Sequence, residues 1–387
     1  MPQAKKLEKS ICSVKQLKRY VQLAPDEEKM LEKIIKVHPM CISPYYMSLI
    51  DWKNPDDPIK KMAVPSVEEL SLEGTYDTSG EIENTIVPGL QHKYSETALI
   101  LATNQCATYC RHCFRKRIVG LPNEEILRRF NDAAVYIAKH KEINNVLISG
   151  GDPLMLENKI IKRLLEVLDK AKNVSFIRIG SRVPVTFPSR LSDLKLLAIL
   201  RKYSKNDKRL HVVTQFNHPR EITPQSIGAV KNLLEAGVLI SNQTVLLRGV
   251  NDNPTTLATL LNKLVCIGVM PYYVFQCRPV KRVKHQFQIP LCEGSRIVEE
   301  AKVKCNGLSK RFKYIMSHVT GKLEILGIMN DEIYFKYHEA KDRKNLGVMF
   351  KCQVDEDARW LEDFSDAKWT PTLKSQRNTG SLHFFSL

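Results

Sequence analysis

Cys106-Ala-Thr-Tyr-Cys110-Arg-His-Cys113 carries three cysteines in CxxxCxxC spacing, directly after the apolar run ALILAT at 98–103. The motif supplies three thiolates to a four-iron cluster and withholds the fourth. The nearest other cysteines along the chain are Cys41 and Cys266. Clusters that only carry electrons usually have four cysteine ligands. An iron without a protein ligand can bind something else, as catalytic metals do when they keep an open position.

Outward from this motif, short apolar runs recur at 98–103, 145–150, 174–180, 211–216, 238–247 and 272–277. Helix-like stretches separate them near 124–140, 157–171, 191–204, 224–236 and 254–267, and another follows at 293–307. The runs are β-branched and bounded by polar or Gly/Pro residues, as buried parallel strands should be. Six strand–helix repeats imply a parallel sheet with right-handed crossovers. The expected fold is α/β: a partial (β/α)6 TIM-like barrel over 93–310, with a helical accessory region at 1–92 and an α+β extension at 311–387.

Periodicity alone does not separate an open barrel from a flat doubly wound sheet. The positions of the unusual polar residues help. Cys106 follows the first run, Ser149-Gly150-Gly151-Asp152 ends the second and Arg182 follows the third. Gln243 lies in the fifth, and Gln276-Cys277-Arg278 closes the sixth. One site at the C-terminal mouth of a barrel accounts for this clustering.

The flanks are less regular. Segments 24–38 and 44–51 read as helices, before a Pro- and acid-rich stretch at 54–88. Runs at 322–328 and 332–338 flank Met329-Asn330-Asp331, a composition suited to a hairpin turn. The tail from Thr370 is polar and Ser/Thr-rich, and poor order is expected there.

The 387 residues carry 59 Lys and Arg against 42 Asp and Glu, a formal net charge of +17. The basic residues are dispersed, without a long block or an aromatic-plus-basic motif, which argues against specific nucleic-acid recognition. No stretch reaches the ~18 consecutive apolar residues of a membrane span, and MPQAKKLEKS lacks the apolar core of a signal peptide. Ten cysteines, mostly scattered, and the clustered three suit the reducing cytoplasm.

The CxxxCxxC motif resembles the signature of the radical S-adenosylmethionine (SAM) enzymes, whose open iron chelates the methionine end of SAM. The likeness extends through HKYSETALILATNQCATYCRHCFRKR, SGGDPL, RIGSRVPVTFP, FNHPREIT, NQTVLLRGVND and PYYVFQC, and into SPYYMSLIDWKNPDDPIKKMAVPSVEEL at 43–70. Over about residues 40–340 the chain is similar to the lysine 2,3-aminomutase family. That resemblance implies an isomerase in which a reduced [4Fe-4S] cluster cleaves SAM to a 5′-deoxyadenosyl radical. The radical takes hydrogen from an amino acid's β-carbon, and the amino group, carried on pyridoxal phosphate (PLP), moves from α to β. It further implies a small-molecule amino acid substrate, a reductant protein such as flavodoxin or ferredoxin, and a possible homo-oligomer.

By resemblance, Cys106, Cys110 and Cys113 hold the cluster. Ser149, Gly150, Gly151, Asp152, Arg182 and Gln243 bind SAM, and Arg115 pairs with the substrate carboxylate. Lys322 is the PLP lysine, and Lys93 contacts the phosphate where the family places two arginines; the second position is Thr97. Lysine-specific members carry an aspartate directly after the QC of the sixth run. Here Arg278 stands there, and Ile315 replaces a second aspartate, so a distal carboxylate, as in glutamate, suits the site better than lysine. Asn253 occupies the family's zinc-cysteine position, so no structural zinc is expected. The competing readings are a PLP-independent radical SAM enzyme acting on another small acid and a non-catalytic iron–sulfur or polyanion-binding protein.

Overall fold

The computed structural model describes residues 7–204 and 208–364. The tail from Thr370 lies outside the described residues. Twelve strands form one sheet in chain order. They are β1 (Thr85–Val87), β2 (Leu90–Tyr94), β3 (Thr97–Thr103), β4 (Asn145–Gly150), β5 (Phe176–Gly180) and β6 (Arg209–Thr214). Then come β7 (Leu239–Leu246), β8 (Met270–Gln276), β9 (Lys313–His318), β10 (Gly321–Met329), β11 (Glu332–Ala340) and β12 (Met349–Gln353). Strands β3 to β9 are parallel. β1 and β2 lead in antiparallel, and β9 to β12 form an antiparallel meander. Among the described residues the first strand does not pair with the last, so the barrel is incomplete.

The connecting helices form where the sequence supplies a stripe and a cap. Asn158–Asp169 buries Ile161, Leu164, Leu165 and Leu168, spaced to lie on one face. Each such side chain contributes about 1.5–3 kcal/mol by leaving water. Asp193 accepts hydrogen bonds from the Lys195 and Leu196 amides to start Leu194–Tyr203. Asn253 does the same through Thr255 and Thr256 for Pro254–Cys266, so the residue at the family's zinc position is a helix cap.

The six apolar runs match β3 to β8, and the hairpin runs match β10 and β11. Asn330 and Asp331 both have positive φ, as a two-residue type I′ turn requires. Two differences stand out. β9 is a seventh parallel strand, which the sequence conceals because it ends in Ser317 and His318 and leads into a hairpin instead of a helix. Residues 85–94 form strands at the head of the sheet. Helices Val14–Leu17, Pro25–Val37, Pro44–Met47 and Pro58–Ala63 precede them. One buried cluster joins Leu17, Ile34 and Tyr46 to barrel residues as far as Phe287, and a second lies beneath the meander. Among the described residues no helix is long and apolar enough to cross a membrane.

Candidate active site

The cysteine loop leaves the C-terminal end of β3 and lies against the turn that ends β4. The Gly151 amide donates to the Thr103 carbonyl at 2.5 Å, and the Asp152 amide to the Gln105 carbonyl at 2.7 Å. Gly150 has φ +111°, and a Cβ there would sit 2.3 Å from the Thr103 carbonyl oxygen. A Cβ on Gly151 would sit 2.4 Å from that of Gln105. The paired glycines, assigned to SAM by resemblance, are required first by the close approach of the cysteine loop.

Cys106 and Cys113 are enclosed, and burial together with the neighbouring thiols pushes Cys106 well above the usual thiol range and Cys113 to about 11. Arg182 answers this crowding. Its Nη1 donates to Cys110 Sγ at 2.6 Å, Nη2 to Glu221 at 2.5 Å and to Tyr46 Oη at 3.2 Å, and Nε to the Gln215 carbonyl at 2.9 Å. The guanidinium assigned to SAM by resemblance is engaged at every nitrogen within the described residues. It backs the cysteine loop and holds positive charge beside the Cys110 sulfur.

Asp152, also assigned to SAM by resemblance, is held from several sides. Its carboxylate accepts from Ser181 Oγ at 2.7 Å and from the amides of Arg182 and Leu154 at 2.7 and 3.1 Å. Burial pushes it up to about 6. It ties the β4 turn to the β5 turn.

The loop is clamped from the N-terminal side. The Tyr109 and Arg111 amides donate to the Cys41 and Met62 carbonyls. Arg111 grips Glu69 through two nitrogens at 2.7 and 2.6 Å, and Lys116 Nζ reaches the same carboxylate at 2.7 Å. Burial alone would raise Glu69; the two cations overcome it and hold the carboxyl down to about 2.

A second group lies toward β8 and β9. Arg115 Nε donates to Glu81 at 3.0 Å and its Nη1 to Ser149 Oγ at 2.9 Å, which links this group to the β4 turn. Arg278 donates to Ser79 Oγ at 2.8 Å and Ser317 Oγ at 2.9 Å. Lys322 pairs with Glu339 and lies 4.8 Å from the Tyr94 ring centroid. Burial pushes Lys322 below the usual ammonium range, with Arg178 and Arg278 adding to the effect. Lys93 donates to the Ser79 and His318 carbonyls at 3.1 and 2.7 Å, and burial with Arg278 and Lys322 lowers it to about 7.

Residues 100–261 match the family model of the radical SAM superfamily. L-lysine 2,3-aminomutase of Acetoanaerobium sticklandii is 40% identical over 74% of this chain and 69% of its own length. Glutamate 2,3-aminomutase of Clostridioides difficile is 34% identical over 78% and 71%. A chain from Aquifex aeolicus (strain VF5) is 41% identical over 90% and 94%. The protein belongs to the lysine 2,3-aminomutase family of radical SAM enzymes. This aminomutase-family member is thus an isomerase by descent, with a [4Fe-4S] cluster and SAM as its shared machinery.

The donor set suits that machinery. Among the described residues no three His, Cys, Asp or Glu side chains converge on a point that one metal ion could occupy. A cluster bound through three separate irons spreads its ligands apart, so three mutually interacting thiols beside Arg182 fit a cluster better than a single ion. When bound, the cluster supplies the electron that cleaves SAM. The family member's own residues fix the loop, enclose it and place Gly150 and Gly151 beside it.

The expected residues fall into two linked sets. Cys106, Cys110, Cys113, the 149–152 turn and Arg182 come together, while Arg278, Lys93 and Lys322 gather across the mouth, with Arg115 between. Gln243 is half-buried on β7, paired in register with Tyr273, and no side-chain hydrogen bond joins it to either set among the described residues. Glu69, Glu81, Glu221 and Tyr46 escaped sequence reasoning. Only the acid-rich composition of 54–88 hinted at Glu69 and Glu81.

Proposed function

We propose that this enzyme is a PLP-dependent amino acid 2,3-aminomutase whose substrate is a dicarboxylic amino acid, glutamate first. The observation that carries this reading is the pair of guanidinium groups, Arg115 and Arg278, gathered about the ring of Phe114. Their carbons lie 4.5 and 4.2 Å from that ring centroid. Two carboxylates need two such forks, and an ammonium beside Arg278 would be repelled. Ser79 and Ser317 hold Arg278 in place, and Glu81 holds Arg115. The relative from Clostridioides difficile, named for glutamate, supports the same class.

Lys322 is the residue that would hold PLP. Its amine is enclosed and its pKa depressed, which favours the neutral form that attacks a carbonyl carbon. PLP supplies a group through which an amino nitrogen can migrate. The chain's part is to keep that amine dry and to aim the substrate's β-carbon toward the cysteine loop. The reading also calls for an electron donor such as flavodoxin or ferredoxin, a cytoplasmic setting and, as in many soluble enzymes, a possible homo-oligomer.

The test is to reduce the enzyme anaerobically with SAM and PLP and assay β-isomer formation from glutamate, then aspartate, glutamine, arginine and lysine. Glutamate turnover that Lys322→Ala abolishes is the expected result. Turnover of lysine in preference to glutamate defeats the substrate assignment. Wild-type protein without the visible absorbance of bound PLP defeats the cofactor assignment and points to PLP-independent hydrogen abstraction.

A further inference from the structure

A cavity of about 420 Å³ lies within the barrel at the N-terminal ends of its strands, opposite the cysteine loop. Thr97, Asn145, Arg178, His211, Ser241 and Glu339 contribute to its lining. They come from β3, β4, β5, β6, β7 and β11. Glu339 is also the partner of the Lys322 ammonium, so the cavity adjoins the amine assigned to PLP.

Arg178 is the cation in this lining with capacity to spare. Its Nη2 donates to Asn145 Oδ1 at 2.5 Å and is 3.5 Å from Thr97 Oγ1. Its Nε is fully enclosed and has no hydrogen-bond partner. A buried, unsatisfied guanidinium N–H is costly, and a ligand that accepts from it removes that cost. The field of Arg178 reaches the Lys322 amine, helping to lower it, and the Glu339 carboxyl. It also adds to the burial that depresses His211. An anion in the cavity would offset the Arg178 charge that acts on these groups.

Lys93, expected to take the phosphate, is not part of this lining. Its ammonium is spent on two backbone carbonyls and lowered to about 7, a poor anchor for a dianion. Arg343 lies at the rim and is mostly exposed, 3.7 Å from Glu96. Among the described residues of this lining, Arg178 alone combines a planar fork held by Asn145 with an enclosed, unpaired donor, and the Thr97 and Ser241 side chains share the cavity. That is the chemistry of a phosphate seat.

We propose that Arg178 is the phosphate anchor of PLP, with the phosphate seated in this cavity and the aldehyde end directed to Lys322. The proposal rests on the PLP reading above. It moves the phosphate cation from the segment before β3 to β5.

The experiment compares PLP with pyridoxal, which lacks the phosphate, by absorbance titration of full-length wild type, Arg178→Met and Arg178→Lys. Wild type should bind PLP at least about 10-fold more tightly than pyridoxal. Arg178→Met should weaken PLP by about 10- to 100-fold, the value of a charge-assisted bond, and pyridoxal by far less. Arg178→Lys should recover part of the loss. Thermal melts should stay close to wild type, since Thr97 and Asn145 still bond each other at 3.2 Å. If Arg178→Met keeps wild-type discrimination between PLP and pyridoxal, the anchor assignment is wrong while the PLP reading stands. If wild type binds neither compound, both fall.

Discussion

Arg115 and Arg278, 163 positions apart in the chain, place their guanidinium carbons within 4.5 Å of the same Phe114 ring. Two cations so close would repel each other in an empty site. Glu81 offsets part of this, since Arg115 and Arg278 overcome burial and hold its carboxyl below the usual range. The remaining positive charge is what a second carboxylate on the substrate would complete.

Removing Arg278 should therefore cost selectivity instead of general competence. Arg278→Ala should lower kcat/KM for glutamate by roughly 2–3 kcal/mol, about 30- to 150-fold. Turnover of a monocarboxylic analogue of similar length should change little. Equal loss on both compounds in steady-state assays would assign Arg278 a structural role only.

Arg182 and Glu221 are paired between the segments that follow β5 and β6, with both side chains almost fully enclosed. Arg182→Ala strands a buried carboxylate and should cost about 3–5 kcal/mol in urea unfolding. Arg182→Ala combined with Glu221→Ala should recover a substantial part of that. The double variant should still show a more negative cluster potential by spectroelectrochemistry, because positive charge has left the neighbourhood of Cys110.

Gly151→Ala tests the contact between the β4 turn and the cysteine loop. The new methyl would start 2.4 Å from the Gln105 carbonyl oxygen, a backbone atom that cannot swing aside. The loop must shift, at a cost of about 1–3 kcal/mol. Iron and sulfide content after anaerobic reconstitution should fall below half that of wild type, with the far-ultraviolet circular dichroism retained.

Acid should loosen the N-terminal clamp. Glu69 is held at about 2 against an ordinary 4.5, so its stabilisation is complete above 4.5 and is lost as pH falls toward 2. His38, lowered from 6.5 to about 4 by burial and by Lys116 and Arg111, adds loss in the same direction between those values. Denaturation midpoints followed from pH 7 to 3 should decline. Glu69→Gln should be less stable at pH 7, where Arg111 and Lys116 lose their counter-charge, and should show a shallower decline below pH 4.5.

Much of this architecture was legible because buried parallel strands advertise themselves: 145–150 and 98–103 are apolar, β-branched and end in polar turns. β9 gave no such sign, since Ser317 and His318 are polar yet buried. The cysteine loop was legible from spacing. Its clamps were not, because Glu69 lies 42 residues from Arg111 and Glu81 lies 34 from Arg115, distances over which periodicity says nothing. Asp152 and Arg182 were recognisable as site residues by resemblance, but that they would be occupied by Ser181, Glu221 and Cys110 depends on how two turns meet. Arg178 read as an ordinary strand residue, and only the space beside it reveals otherwise.

The sulfur loop springs from β3, whereas Ser317 and Lys322 belong to β9 and β10, six parallel pairings away around an open wall. On the proposed reading, the gap between where a radical is born and where it must strike is set in part by the curvature of the intervening strands. In catalysis a misplacement of about 1 Å can cost a hundredfold. Silent-looking exchanges in the buried faces of β6 and β7 should thus act as a tuning screw on reactivity, and directed evolution of this enzyme would do well to begin there.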